Sequence, residues 1–140
     1  MITKEKIRET LSVFHAGDPM QYVYMHEPYV MKTEYCYTLA CFAGWWGYLK
    51  YQNEGEFNER GYFQTDNGPF ADEMAKQMGA RRHGHLARFM QEHPEIWGNP
   101  NGAAMFTRPE AYGRRYNLTL GDIIEHWDGV IERMPDDGSN

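Results

Sequence analysis

Cys36-Tyr37-Thr38-Leu39-Ala40-Cys41-Phe42-Ala43-Gly44-Trp45-Trp46-Gly47 writes two different surfaces into one predicted helix. At helical spacing Cys36, Ala40, Ala43, Gly44 and Gly47 form a stripe of small side chains, while Tyr35, Leu39, Phe42, Trp46 and Leu49 form a bulky face opposite. A helix with almost no polar face is expected to be buried on both sides. Its small stripe should admit a neighbouring backbone, and its large face should fill the core. The helix is expected to begin at Thr33 or Glu34 and to end near Gln52, which puts the centre of the fold here.

Outward from this segment the pattern stays helical. Thr3 suits the cap of a first helix running to about His15, with Ile7, Leu11 and Phe14 on one stripe and Gly17 as its stop. Met20 to Met25 reads as a short extended segment or buried loop before Pro28. From Asn53 to Gly68 the chain is polar and glycine-rich, which predicts a connecting loop with a turn at Asp66-Asn67-Gly68. Pro69 opens a helix that carries Phe70, Met74, Gln77 and Met78 and stops at Gly79. A further helix is predicted over His85 to Glu92, closed by Pro94, and Trp97 to Gly102 contains two turn signals. Thr107-Arg108-Pro109-Glu110 has capping-box spacing and predicts a helix to about Tyr116.

The last helix has the clearest signature. Thr119 and Asp122 suit its start, and Leu120, Ile123, Ile124, Trp127, Val130, Ile131 and Met134 fall on one face, with Glu125, Gly129 and Glu132 toward water. The expected architecture is therefore mainly α: a single compact domain of about five or six helices with long irregular loops, spanning 1–134, followed by a disordered tail at 135–140.

Composition fits this picture. Of 140 residues 41% are hydrophobic and 15% aromatic, enough for a packed core without disulfides or a structural metal. The run from Tyr35 to Leu49 is shorter than the roughly 20 residues that span a bilayer, and the charged opening segment is unlike a secretory signal. No membrane association and a cytoplasmic location are expected. The only two cysteines, Cys36 and Cys41, lie about 140° apart on a helix and read as buried thiols in a reducing compartment. A net charge of -6 argues against broad nucleic-acid binding while leaving room for a local basic patch.

The segment C-x-T-x-x-C-x-A-G-W, here Cys36, Thr38, Cys41, Ala43, Gly44 and Trp45, resembles a set of small uncharacterised proteins of phages and bacteria. Those proteins also tend to carry an upstream aromatic stretch, a following helix, a later tryptophan and a closing helix that begins with Thr. The counterparts here are Tyr22 to Tyr29, Phe70 to Gly79, Trp97, and Thr119 through Trp127. This chain departs from their pattern at Tyr37, where a glycine often follows the first cysteine. The resemblance implies a phage or bacterial cytoplasmic protein and no particular activity.

Three constellations carry candidate chemistry. His83 and His85, joined by Gly84, with His93 beyond, are the candidate ligands of a divalent metal, although the spacing matches no established signature and solvated histidines are the plainer reading. Arg81, Arg82 and Arg88, with Arg114 and Arg115, make a candidate anion-binding patch, against which stands ordinary pairing with 20 acidic residues. Tyr112 and Tyr116 are the aromatics that an RNA contact would stack upon. His126 and Asp122 are four apart and make a candidate acid–base pair, a spacing that more often forms a helix-surface contact. Cys41 among apolar neighbours is a poor nucleophile. No phosphate-binding glycine loop is written here, and Trp45, Trp46 and Trp97 read as core before they read as pocket walls.

The expected function is accordingly a small soluble non-catalytic protein that binds a macromolecular partner, a protein in the first instance, as a phage accessory protein acting on a host component would. No cofactor is expected. The alternatives are a small enzyme built on a histidine–carboxylate site, with or without a divalent metal, and a nucleic-acid contact through the arginines.

Overall fold

The computed structural model describes residues 1–21, 42–60, 62–66, 69–97 and 119–135. Outside these lie Cys36, Thr38, Ala40 and Cys41, Arg114 and Arg115, the front of the central helix, the helix expected over 107–116, the turns at 98–102, and the tail from 136. Among the described residues the fold is mainly α, with six α-helices, one 3-10 helix and one small hairpin.

The first helix, α1, spans Lys4–Leu11, and the Thr3 hydroxyl caps it by accepting the Lys6 N–H at 3.2 Å. Ile7 and Leu11 turn inward, as does Phe14 on the 3-10 helix Ser12–Ala16 that follows. A single helix to His15 does not form. The Ser12 hydroxyl donates to the Glu9 carbonyl at 2.6 Å, and such back-bonding competes with the α-helical ladder where the tighter turn begins.

Helix α2, Phe42–Tyr51, is buried continuously from Phe42 to Gly47. What fills the space at Gly47 is a ring rather than a backbone: a Cβ there would stand 2.1 Å from Cδ2 of Phe70. The stretch expected to be a loop contains an antiparallel hairpin, β1 Glu56–Phe57 against β2 Phe63–Gln64, with Glu56 opposite Gln64 and Phe57 opposite Phe63. Its turn is organised by Asn58, whose Oδ1 accepts the N–H groups of Arg60 at 2.9 Å and Tyr62 at 3.0 Å. Phe63 is edge-on to Tyr48 at 5.1 Å between centroids, stapling the hairpin to α2.

Helix α3, Phe70–Gln77, starts after Pro69 and ends at Gly79, which holds φ at 105°. Two bonds close the end, Gly79 N–H to Lys76 at 3.0 Å and Ala80 N–H to Ala75 at 2.9 Å, the Schellman pattern that favours glycine at this position. Helix α4 covers His83–Glu92, two residues earlier than its apolar pattern suggests, and α5 is the single turn Pro94–Trp97. Pro94 thus ends one helix and opens the next. Helix α6, Leu120–Arg133, has the full Thr119/Asp122 capping box. Gly129 is partly covered by Arg133 rather than fully wet, since a Cβ on it would come within 3.1 Å of the guanidinium.

Trp46, Trp127, Phe42, Phe63, Phe70 and Ile7 are the largest wholly buried side chains, and they come from α1, α2, α3, α6 and the hairpin. Two backbone bonds pin the exit of the first helix to the start of α6: Leu120 N–H to Gln21 at 2.8 Å and Gly121 N–H to Pro19 at 2.9 Å.

Candidate functional site

The corner between α3 and α4 gathers most of the polar candidates. Arg82 stands at the N-cap of α4 with extended backbone and no capping bond from its own side chain. Asp72 of α3 takes that role: its Oδ1 accepts the His83 N–H at 3.0 Å and lies 2.6 Å from His83 Nδ1. The His83 backbone N–H first, and its imidazole second, hold the Asp72 carboxyl below its usual 3.8. Because a carboxylate already occupies the positive end of α4, that helix start is a poor seat for an external anion.

The three histidines face different tasks. His85 Nδ1 accepts the Arg81 N–H at 3.0 Å, which places the proton of a neutral ring on Nε2. His93 Nδ1 lies 3.2 Å from Glu95 Oε1, and its ring sits 4.4 Å from that of Phe89. Among the described residues no group of three or more His, Cys, Asp or Glu side chains is arranged to hold a metal ion. Arg81, Arg82 and Arg88 are exposed, and no ion pair engages their side chains among the described residues.

Spacing brought Asp122 and His126 together on paper, and the fold keeps their roles apart. Asp122 is committed to the helix start, its Oδ2 accepting the Thr119 N–H at 3.0 Å while its own N–H donates to Thr119 Oγ1 at 3.2 Å. His126 makes no hydrogen bond among the described residues. Burial, and then the nearby Arg133 charge, hold its imidazole below the usual 6.5.

Of the cysteine-containing motif, Ala43, Gly44, Trp45 and Gly47 are described, and all four are buried. Trp45 Nε1 is buried without a hydrogen-bond partner among the described residues. Trp46, by contrast, donates from Nε1 to the Thr10 carbonyl at 2.9 Å.

Two open clefts were not anticipated. One, of about 520 Å³, is bordered by the hairpin and the end of α2, with Tyr51 and Phe57 as walls and Glu54, Glu56 and Asp66 around it. The other, of about 560 Å³, runs between the first helix and α6. Leu11, Phe14, Ile124 and Ile131 line it, with Asp128 and Glu132 on the α6 side. None of these five carboxylates has a cationic partner among the described residues. The second cleft leaves a trace in the sequence, since Arg8, Leu11, Ser12 and His15 repeat at helical spacing, as do Ile124, Asp128 and Ile131. The first depends on the hairpin and leaves none. Comparison with protein-family models, with curated proteins and with solved structures returned no match.

Proposed function

We propose that this chain is a small non-catalytic protein of the cytoplasm that works by binding another protein, as an accessory protein of phage or bacterial origin acting on a host component would. One observation carries the reading: carboxylates with no cationic partner border both open clefts, Glu54, Glu56 and Asp66 at one and Asp128 and Glu132 at the other. Such rims repel phosphate backbones and attract the lysines and arginines of a protein surface, steering encounter in the way that complementary potentials do. His83, His85 and His93 each meet a different partner and Asp122 is committed to a helix start, so these candidates are not gathered around one shared site, which adds support.

Immobilised protein should retain one or a few specific proteins from a bacterial lysate. The bound fraction should fall when Glu54, Glu56 and Asp66, or Asp128 and Glu132, are changed to lysine. Failure to retain any specific protein across several candidate hosts, combined with turnover of a small molecule, would sink the reading.

Exposure of Arg81, Arg82 and Arg88 supports a second reading, a nucleic-acid contact confined to the α4 corner. Its signature is binding that weakens steeply with salt and is lost in Arg81→Ala/Arg82→Ala/Arg88→Ala. Salt-insensitive binding, or none at low salt, counts against it.

A further inference from the structure

We infer that the groove between the first helix and α6 receives a short cationic, amphipathic helix of a partner protein, an assignment that rests on the protein-binding reading and names its partner class. Two helical stripes face each other across it: Leu11 with Phe14 on one side, Ile124 with Ile131 on the other. Leu11, Phe14 and Ile131 keep 8%, 5% and 7% of their surface exposed, whereas Ile7 and Ile123 on the same helices keep 0%, so the core edge reaches solvent along this line. With the half-buried Ile124 beside them, these edges form the narrow apolar floor of a groove into which the ridge of a third helix can pack.

Charge selects the occupant. Asp128 and Glu132, four residues apart on α6, stand together on one wall without an internal cation. On the opposite wall Arg8 is paired with Glu5 and His15 stands nearby, so the acidic side of the groove is the α6 wall. A helix with leucine-like residues at i and i+3 or i+4, and lysine or arginine beside them, would set its apolar ridge on the floor and its cations on Asp128 and Glu132. The usable length matches: the α6 wall from Ile124 to Glu132 spans ~12 Å at ~1.5 Å per residue, room for about two turns.

The test uses the full chain, isotopically labelled, and a synthetic amphipathic peptide of leucine and lysine about three turns long. A second peptide carries glutamate in place of lysine. Backbone shifts caused by the lysine peptide should cluster at Leu11, Phe14, Ile124, Asp128, Ile131 and Glu132, with affinity about tenfold or more above that of the glutamate peptide. Asp128→Lys/Glu132→Lys, both on exposed positions, should fold normally and reverse the preference. Shifts that map to the hairpin cleft, or a preference unchanged in the double variant, overturn the assignment. So does concentration-dependent dimerisation abolished by Ile124→Glu, which would give the groove to a second copy. A lysate protein held equally by the parent and the double variant also overturns it while leaving the protein-binding reading intact. Retention of no specific protein from any candidate host, combined with turnover of a small molecule, would remove that reading itself.

Discussion

Trp46 and Thr10 are joined across 36 residues by one buried hydrogen bond, indole Nε1–H to backbone carbonyl at 2.9 Å. The bond ties α2 to the first helix in a region where Trp46 and Thr10 are both 0% exposed, so neither group has water as an alternative partner. Trp46→Phe keeps an aromatic ring but removes the donor and some volume. It should cost roughly 1–3 kcal/mol in denaturant unfolding, with little change in the slope. Parent-like stability would mean that the two helices are not locked at this point.

Gly47 and Phe70 make a second fixed contact, because a methyl on Gly47 would overlap the ring. Gly47→Ala should destabilise by about 1–3 kcal/mol through overpacking. Phe70→Leu in the same chain should recover part of that loss, and the recovery is the coupling between the two sites. Glu125→Leu on the wet face of α6 serves as the control and should stay within about 0.5 kcal/mol.

Asp72 caps α4 from another helix, and its acidity follows from that duty. A carboxyl held below its ordinary 3.8 in the fold stabilises fully above the unfolded value, and this contribution is lost as pH falls through the folded value. Asp72→Ala should therefore cost about 1 kcal/mol at neutral pH, the usual worth of a helix cap. The gap from the parent should close in acid below pH 3.8. An equal gap at pH 7 and in strong acid would show that the carboxylate charge does not take part.

The sign is opposite in chemistry, though not in direction, for His126. Its folded-state pKa lies below the ordinary 6.5, so the unfolded chain takes up the proton first and stability declines as pH falls from 6.5 toward the folded value. Proton NMR of the imidazole should give a midpoint below 6.5, and Arg133→Gln should raise it. His126→Gln should flatten the stability profile over the same interval. A midpoint at or above 6.5 would contradict the half-buried position of the ring beside Arg133.

The parts of this fold that can be read from the chain are those whose causes are local. Thr119 and Asp122 close a capping box within four residues, and the face from Leu120 to Met134 is long enough for its period to stand out. Gly79 stops α3 because the left-handed residue and its two closing bonds belong to one turn. The start of α4 is different: its cap, Asp72, lies 11 residues away on α3, so local pattern places the helix two residues late. Strands of two residues show no alternation at all, which hid the hairpin and the cleft beside it. The candidate site follows the same division. Sequence supplied the histidines, but the pairing of His83 with Asp72 across two helices, and the open groove, are products of tertiary packing.

The bonds from Leu120 to Gln21 and from Gly121 to Pro19 also set a timetable for synthesis. Ile7, Leu11 and Phe14 belong to one core with Trp127 and Val130, yet roughly a hundred residues separate the two helices along the chain. At about 5–20 residues per second, the ribosome leaves the first helix waiting some 5–20 seconds for its final neighbour. Through that interval its apolar stripe has no α6 to rest against, and a growing chain is open to chaperones or to a neighbouring nascent copy.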